Sequence, residues 1–258
     1  MKRTRLGLVS LLSVVVLALL ATPVAAQSTT TEQLITELNT NLLYIAVPVT
    51  LVTEAALVYA VWKFRKSDEA KPTKENRRLE ITWTIATAII LLFVGVASYG
   101  VLANPNVTHT PDMAGPGSDD VVVDVQAYQW GWNFAYPREN VTASGATIVV
   151  PADTDVYFRI TSQDVIHSFG VPDLGLKQDA VPGQTNTIKT HTLETGSYQG
   201  FCMEYCGVAH SQMLFTVKIV PQDQYDQYIQ ERNDAKSGSA GGQGAQQVQP
   251  SGALTAAA

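Results

Sequence analysis

The sequence predicts a two-helix transmembrane hairpin followed by an all-β sandwich or barrel domain. Two observations predict it. Apolar residues are concentrated in three long runs within the first 102 positions, with a cation-rich loop between the second and third. Beyond Asn104 the pattern changes to short apolar or alternating stretches, separated by turn residues, as in a domain of many short strands.

The first run reads as a secretory signal peptide, residues 1–26. Lys2, Arg3 and Arg5 are followed by an apolar stretch from Leu6 to Leu20 and by Val24-Ala25-Ala26, a basic start, an apolar centre and small residues before a cleavage site. Cleavage is expected after Ala26; the other reading is an uncleaved membrane anchor. Residues 27–103 then hold the hairpin. Its helices are expected at about 42–62 and 81–102, each long enough to span a bilayer. Glu54, inside the first, is costly in lipid and should face another protein surface. Between them stand Lys63, Arg65, Lys66, Lys71, Lys74, Arg77 and Arg78, which place the loop in the cytoplasm. Both hairpin ends then lie outside a multi-pass protein of the plasma membrane, and everything after about Asn104 is exported.

Residues 104–118 form a Pro-, Gly-, Asn- and Thr-rich linker. Strands are expected at Val121–Gln126, Tyr128–Tyr136, Ala146–Pro151, Asp155–Thr161, Thr187–Leu193 and Leu214–Val220, all within a domain at 119–221. Ser144-Gly145, Pro182-Gly183 and Thr195-Gly196 mark turns. A short helix, 222–235, carries Tyr225, Tyr228 and Ile229 on one side. Residues 236–258 are Gly, Ser, Gln and Ala, the composition of a disordered tail. The chain has no internal repeat.

A formal charge of −6 over 258 residues, with no basic patch beyond the one loop, argues against nucleic-acid binding. The acidic residues keep the surface soluble or attract a cationic partner. Two cysteines cannot build a disulfide framework.

Chemistry is concentrated in Cys202-Met-Glu-Tyr-Cys206-Gly-Val-Ala-His210-Ser-Gln-Met213. Thiolate, thioether and imidazole are soft and borderline ligands that suit copper. The cysteines bracket a loop after the strand Ser197–Phe201, so both sulfurs can point into one place and bridge two metal ions. His210 comes from the same loop, and His167, in Asp164-Val-Ile-His167-Ser-Phe, from another. Each copper would receive one imidazole, with Met213 and a backbone carbonyl as weak axial ligands that tune the potential. Three readings compete. A Cys202–Cys206 disulfide leaves His210, Met213 and His167 unused, and a mononuclear blue-copper site leaves one thiolate unexplained. A structural zinc site has the wrong spacing and no use for Met213. His109 and His191 lack partners in sequence and read as a linker residue and a strand residue.

The run Cys202-x-Glu204-x-Cys206-x-x-x-His210-x-x-Met213, with His167 upstream, resembles the dinuclear copper A centre of cytochrome c oxidase subunit II. The resemblance extends to the helix hairpin, to Gly175-Leu-Lys177-Gln-Asp179-Ala-Val-Pro-Gly183 and to Gln129-Trp130-Gly131-Trp132-Asn-Phe. It implies a cupredoxin-like domain. It also implies two coppers held by His167, Cys202, Cys206, His210, Met213 and the backbone carbonyl of Glu204, whose side chain would reach magnesium at the interface with subunit I. Carboxylate oxygens suit that hard cation. Trp130 matches the aromatic residue through which the donor's electron enters; the other reading is a core aromatic. Glu80, in Glu80-Ile-Thr-Trp83-Thr, matches the acid at the mouth of a proton path; the other reading is a helix-end charge at an interface. Gly131 departs from the family, many members of which carry an aromatic residue there, and leaves less stacking surface for a donor.

The resemblance implies a subunit that is not catalytic alone. It would take electrons from cytochrome c or a small blue-copper protein and pass them to haem-bearing subunit I, where oxygen is reduced to water. There is no Cys-x-x-Cys-His for a fused haem c, so haem is expected only in the partner. Three rivals stand beside this: the copper A subunit of a nitric oxide reductase, a membrane-anchored copper carrier, and a quinol oxidase subunit, which lacks the copper ligands. The sequons Asn106-Val-Thr108 and Asn140-Val-Thr142 are weak glycosylation signals.

Overall fold

The computed structural model describes residues 28–241, apart from residues 68, 70, 71, 73, 111 and 144. The expected signal peptide and most of the expected tail lie outside the described residues.

Two helices come first, α1 (Thr30–Phe64) and α2 (Arg77–Leu102). Both are long and apolar enough to cross a membrane, with 18-residue windows of mean hydropathy 1.8 and 2.3. Leu51, Val52, Val58, Leu91 and Leu92 stand exposed along them. Left in water, each such side chain would forgo roughly 1.5–3 kcal/mol of burial energy, so lipid or a partner subunit must cover them. α1 starts well before the expected position 42, because its first turn is capped in both directions. The Glu32 N–H donates to the N-cap Thr29 Oγ1 at 3.1 Å, and the Ser28 N–H, one residue before the cap, donates to Glu32 Oε2 at 2.8 Å. At α2 the Leu79 N–H donates to the Asn76 side chain at 3.2 Å.

The rest folds as two five-stranded sheets, β3-β2-β1-β5-β8 and β4-β10-β9-β6-β7. The strands are β1 (Val121–Tyr128), β2 (Gly131–Tyr136), β3 (Val141–Thr142), β4 (Thr147–Pro151), β5 (Asp155–Ser162), β6 (His167–Val171), β7 (Leu176–Ala180), β8 (Asn186–His191), β9 (Gly196–Cys202) and β10 (Leu214–Val220). β1 runs parallel to β5 and β10 parallel to β4, and the other neighbours are antiparallel. The all-β class is as expected, with one strand divided. Tyr128–Tyr136 is not continuous: the chain turns at Gln129-Trp130, and Tyr128 pairs across the turn with Gly131. Inward positions alternate along β1, where Val123, Val125 and Ala127 are fully buried while Asp124 and Gln126 are not. Phe169 sits at the middle of the core, its ring 4.7 Å from that of Phe215 and 5.3 Å from that of Phe158, distances at which aromatic pairs add to simple burial.

The segment before α1 is tied to this domain. Thr29 bridges Thr192, and its hydroxyl donates to the Leu174 carbonyl at 2.8 Å. The Thr31 and Thr190 hydroxyls lie 2.7 Å apart. Gly175, at φ +65°, makes room for this, since a Cβ there would sit 3.0 Å from the Glu32 nitrogen. At the other end a helix α3 (Gln222–Gly241) lays Tyr225 against Tyr136, ring centroids 6.2 Å apart. It continues past the expected end at 235, so the first residues assigned to a tail are helical instead.

Candidate metal centre

Three strand ends converge to build the site. Cys202 is the last residue of β9, Met213 directly precedes β10, and His167 opens β6. The Cys202 N–H donates to the Met213 carbonyl at 3.1 Å, holding the two ends of the loop together. Phe169 pairs with Cys202, which brings the start of β6 alongside. His210 begins a single 3₁₀ turn, His210–Gln212, within the loop.

The donors divide into two groups. Cys202 Sγ has His167 Nδ1 at 3.8 Å and the Glu204 carbonyl oxygen at 3.1 Å. Cys206 Sγ has His210 Nδ1 at 3.6 Å and Met213 Sδ at 3.8 Å. The two sulfurs are 3.8 Å apart and both cysteines are free, so the disulfide reading does not describe this arrangement. Metal–nitrogen and metal–sulfur bonds of ~2.0–2.3 Å make tetrahedral ligand edges of ~3.3–3.8 Å, the range in which the two imidazoles, the thioether and the two sulfurs lie here. The soft donor set, two thiolates with imidazoles and a thioether, suits copper. Among the described residues, His167, Cys202 and Cys206 bring their ligand atoms within 4.8 Å of one another.

The centre is dry. His167 is fully buried, and Cys202, Cys206 and Met213 are nearly so, while His210 is partly buried. Burial, then the neighbouring Cys202 thiol, pushes the Cys206 thiol up to about 12. Without a cation it holds its proton at neutral pH, so metal binding must displace that proton.

Trp130 lies on the site, not in the core. It is 40% exposed, and its indole N–H donates to the Cys206 carbonyl at 3.1 Å. The Gln129 amide donates to the same oxygen at 2.7 Å. Gly207, at φ +120°, permits this approach, because a Cβ there would meet the Trp130 ring at 3.1 Å. Around the rim Ile166, Tyr205, Val208 and Leu214 are exposed. The Glu204 side chain is also exposed, while its carbonyl faces the Cys202 sulfur. Glu80 is not brought to the centre. It stands in the first turn of α2, and the 22 residues from there to Leu102 place roughly 33 Å of helix between Glu80 and the segment that leads into the β domain.

Sequence reasoning missed three residues. Trp132 is buried and places its ring 6.4 Å from His167 and 5.1 Å from Phe215; its spacing of two from Trp130 was the available signal. Asp164, three before His167, lies 2.9 Å from that ring. Tyr128 lies over Gly131, where a Cβ would come within 2.5 Å of its hydroxyl. His191 gains partners that the sequence did not reveal, Asp155 at 2.7 Å and Asp153 at 3.3 Å. His109 packs edge-on against Tyr157, centroids 5.5 Å apart.

Residues 10–101 match the family model for the cytochrome c oxidase subunit II transmembrane domain, and residues 141–220 that for its periplasmic domain. A probable cytochrome c oxidase subunit 2 of Rickettsia bellii is 33% identical over 214 residues, covering 74% of this chain and 77% of the relative. The chain belongs to the cytochrome c oxidase subunit II family. Subunit II of Cereibacter sphaeroides is 30% identical over 250 residues, covering 82% of this chain and 78% of the relative. The solved periplasmic domain of subunit II of Bradyrhizobium japonicum cytochrome oxidase is similar at 25% identity and a TM-score of 0.43, covering 46% of this chain and 97% of that one. Family members are subunits of an oxidoreductase complex and are not catalytic alone.

Proposed function

We propose that this chain receives electrons for a terminal cytochrome c oxidase at a dinuclear copper centre and delivers them toward a haem-bearing subunit I, which reduces oxygen to water. The observation that carries the reading is the division of donors around two sulfurs 3.8 Å apart. His167 and the Glu204 carbonyl lie against Cys202, and His210 and Met213 against Cys206, so all four donors surround the same pair of sulfurs. When bound, the copper pair supplies one-electron chemistry with the charge change spread over both metals.

The chain's own residues do the rest. Cys202 and Cys206 would hold both coppers through their thiolates, and His167 and His210 would each supply one imidazole. Met213 and the Glu204 carbonyl are the weak ligands. Strand ends hold these groups in place, and burial keeps water out, so little needs to move when the charge changes. Trp130 offers an exposed ring to a donor, cytochrome c or a small blue-copper protein, while its N–H touches the Cys206 carbonyl. The apolar rim of Tyr205, Val208 and Leu214 suits a protein surface. The Glu204 carboxylate, exposed next to a ligand carbonyl, supplies one oxygen to magnesium at the contact with subunit I. Glu80 sits at the inner end of the hairpin, where it admits protons from the cytoplasm. The cation-rich loop supports this orientation in the plasma membrane, with the copper domain outside.

The test is purification of the intact membrane complex with metal analysis and visible, near-infrared and paramagnetic resonance spectra. Two coppers in this chain with a shared-valence spectrum, beside the partner's haems, is the expected result. A single copper with a blue-copper spectrum, or one zinc, would overturn the reading.

A further inference from the structure

Asp164 is not a metal ligand, yet it touches both halves of the site. Its Oδ1 lies 2.9 Å from Nε2 of the fully buried His167. Its Oδ2 accepts the backbone N–H of Gln129 at 2.7 Å. Gln129 and its neighbour Trp130 both donate to the Cys206 carbonyl. One carboxylate therefore closes a ring of contacts that runs from His167 through the 129–130 turn to Cys206. Asp164 is itself held in place: the Val165 N–H donates to Oδ1 at 2.7 Å, and the Ser162 hydroxyl donates to the Val165 carbonyl at 2.5 Å.

The tautomer follows from this contact. An ionised carboxylate only accepts hydrogen bonds, so the imidazole proton sits on Nε2. Nδ1, which faces Cys202, is left with its lone pair free for a metal. A carboxylate behind a ligating imidazole also makes it a stronger donor.

We propose that Asp164 is a positioning residue that acts twice: it orients and strengthens His167 as a ligand, and it anchors the turn that lays Trp130 on Cys206. The proposal rests on the copper reading above. It means that one anionic group tunes the potential of the centre and the rate at which electrons reach it. Removing the negative charge destabilises the more positive oxidised state, so the midpoint potential rises. Loosening the turn slows delivery from the donor.

The experiment compares the intact complex carrying Asp164→Asn, Asp164→Glu or Trp130→Phe with the unaltered complex. Three quantities are read: the midpoint potential of the near-infrared copper band, copper retention against a chelator, and the rate of the first electron transfer from reduced cytochrome c. For Asp164→Asn we expect a higher midpoint, copper retention roughly 10- to 100-fold weaker and slower transfer. Asp164→Glu, which restores the charge, should bring the midpoint back toward that of the unaltered complex. Trp130→Phe should slow transfer with the midpoint unmoved. An unchanged midpoint and unchanged copper retention in Asp164→Asn would overturn the proposal while leaving the copper reading intact. Failure of Asp164→Glu to recover the midpoint would also count against it. If the unaltered complex lacks the copper band, the copper reading itself fails and the proposal falls with it.

Discussion

The Trp130 indole N–H donates to the carbonyl of Cys206 at 3.1 Å, so an exposed aromatic ring is bonded to the backbone of a proposed bridging residue. Trp130→Phe keeps an aromatic face but replaces the indole with a smaller ring and removes the N–H. Donor oxidation should slow by at least an order of magnitude while copper content and spectrum stay unchanged. Stopped-flow reduction of the copper band is the measurement, and a wild-type rate would remove Trp130 from the path.

Cys202 and Cys206 each carry their own pair of additional donors, so neither thiolate is spare. Serine at either position should abolish the shared-valence spectrum and lower the copper content per chain. Near-infrared absorption with metal analysis tests this. Two coppers retained with an intact band in either variant would refute bridging.

Tyr128 occupies the place that a side chain at position 131 would take, since a Cβ on Gly131 lies 2.6 Å from the Tyr128 ring carbon Cζ. Gly131→Tyr should therefore expel the Tyr128 ring, whereas Tyr128→Ala should make room for it. A double-mutant cycle by thermal unfolding should return a coupling of about 0.5–3 kcal/mol. Strict additivity would mean that the two positions do not compete.

Asp155 receives Lys189 at 2.6 Å and His191 at 2.7 Å. Burial alone would raise its pKa, but these hydrogen bonds outweigh it and hold the carboxyl below its usual range. A carboxyl depressed in the folded state contributes stability above its unfolded pKa of ~3.9 and loses it as pH falls through the folded value. Asp155→Asn should thus cost roughly 1–2 kcal/mol near pH 7, with the deficit shrinking below about pH 4. Unfolding midpoints across pH report it; a deficit that persists unchanged in acid would contradict the mechanism.

Glu80 is half-buried in the first turn of α2, a helix length away from the segment that leads to the proposed copper ligands. Glu80→Ala should slow steady-state oxygen consumption several-fold and leave the first reduction of the copper centre untouched. Loss of both together would point to misassembly of the hairpin, not to a proton inlet.

What the sequence by itself determined was whatever depends on local pattern and residue type. Two apolar runs of spanning length need no tertiary information to be read as helices, and neither does alternation along Val121–Gln126. Few residue types can bind a soft metal, so Cys202, Cys206, His210 and Met213 stood out within twelve positions. Tertiary structure decided what depends on non-local pairing. His167 is 35 residues from Cys202, and only the pairing of β6 with β9 sets its ring beside that thiol. The turn at 129–130 was invisible to periodicity because apolar and aromatic residues run through it, and only there does the chain lay Trp130 on Cys206, Asp164 on Gln129 and Tyr128 over Gly131. Strand pairing brings distant backbone segments within about 5 Å, and the side-chain neighbours that result leave no mark on the sequence around any one of them.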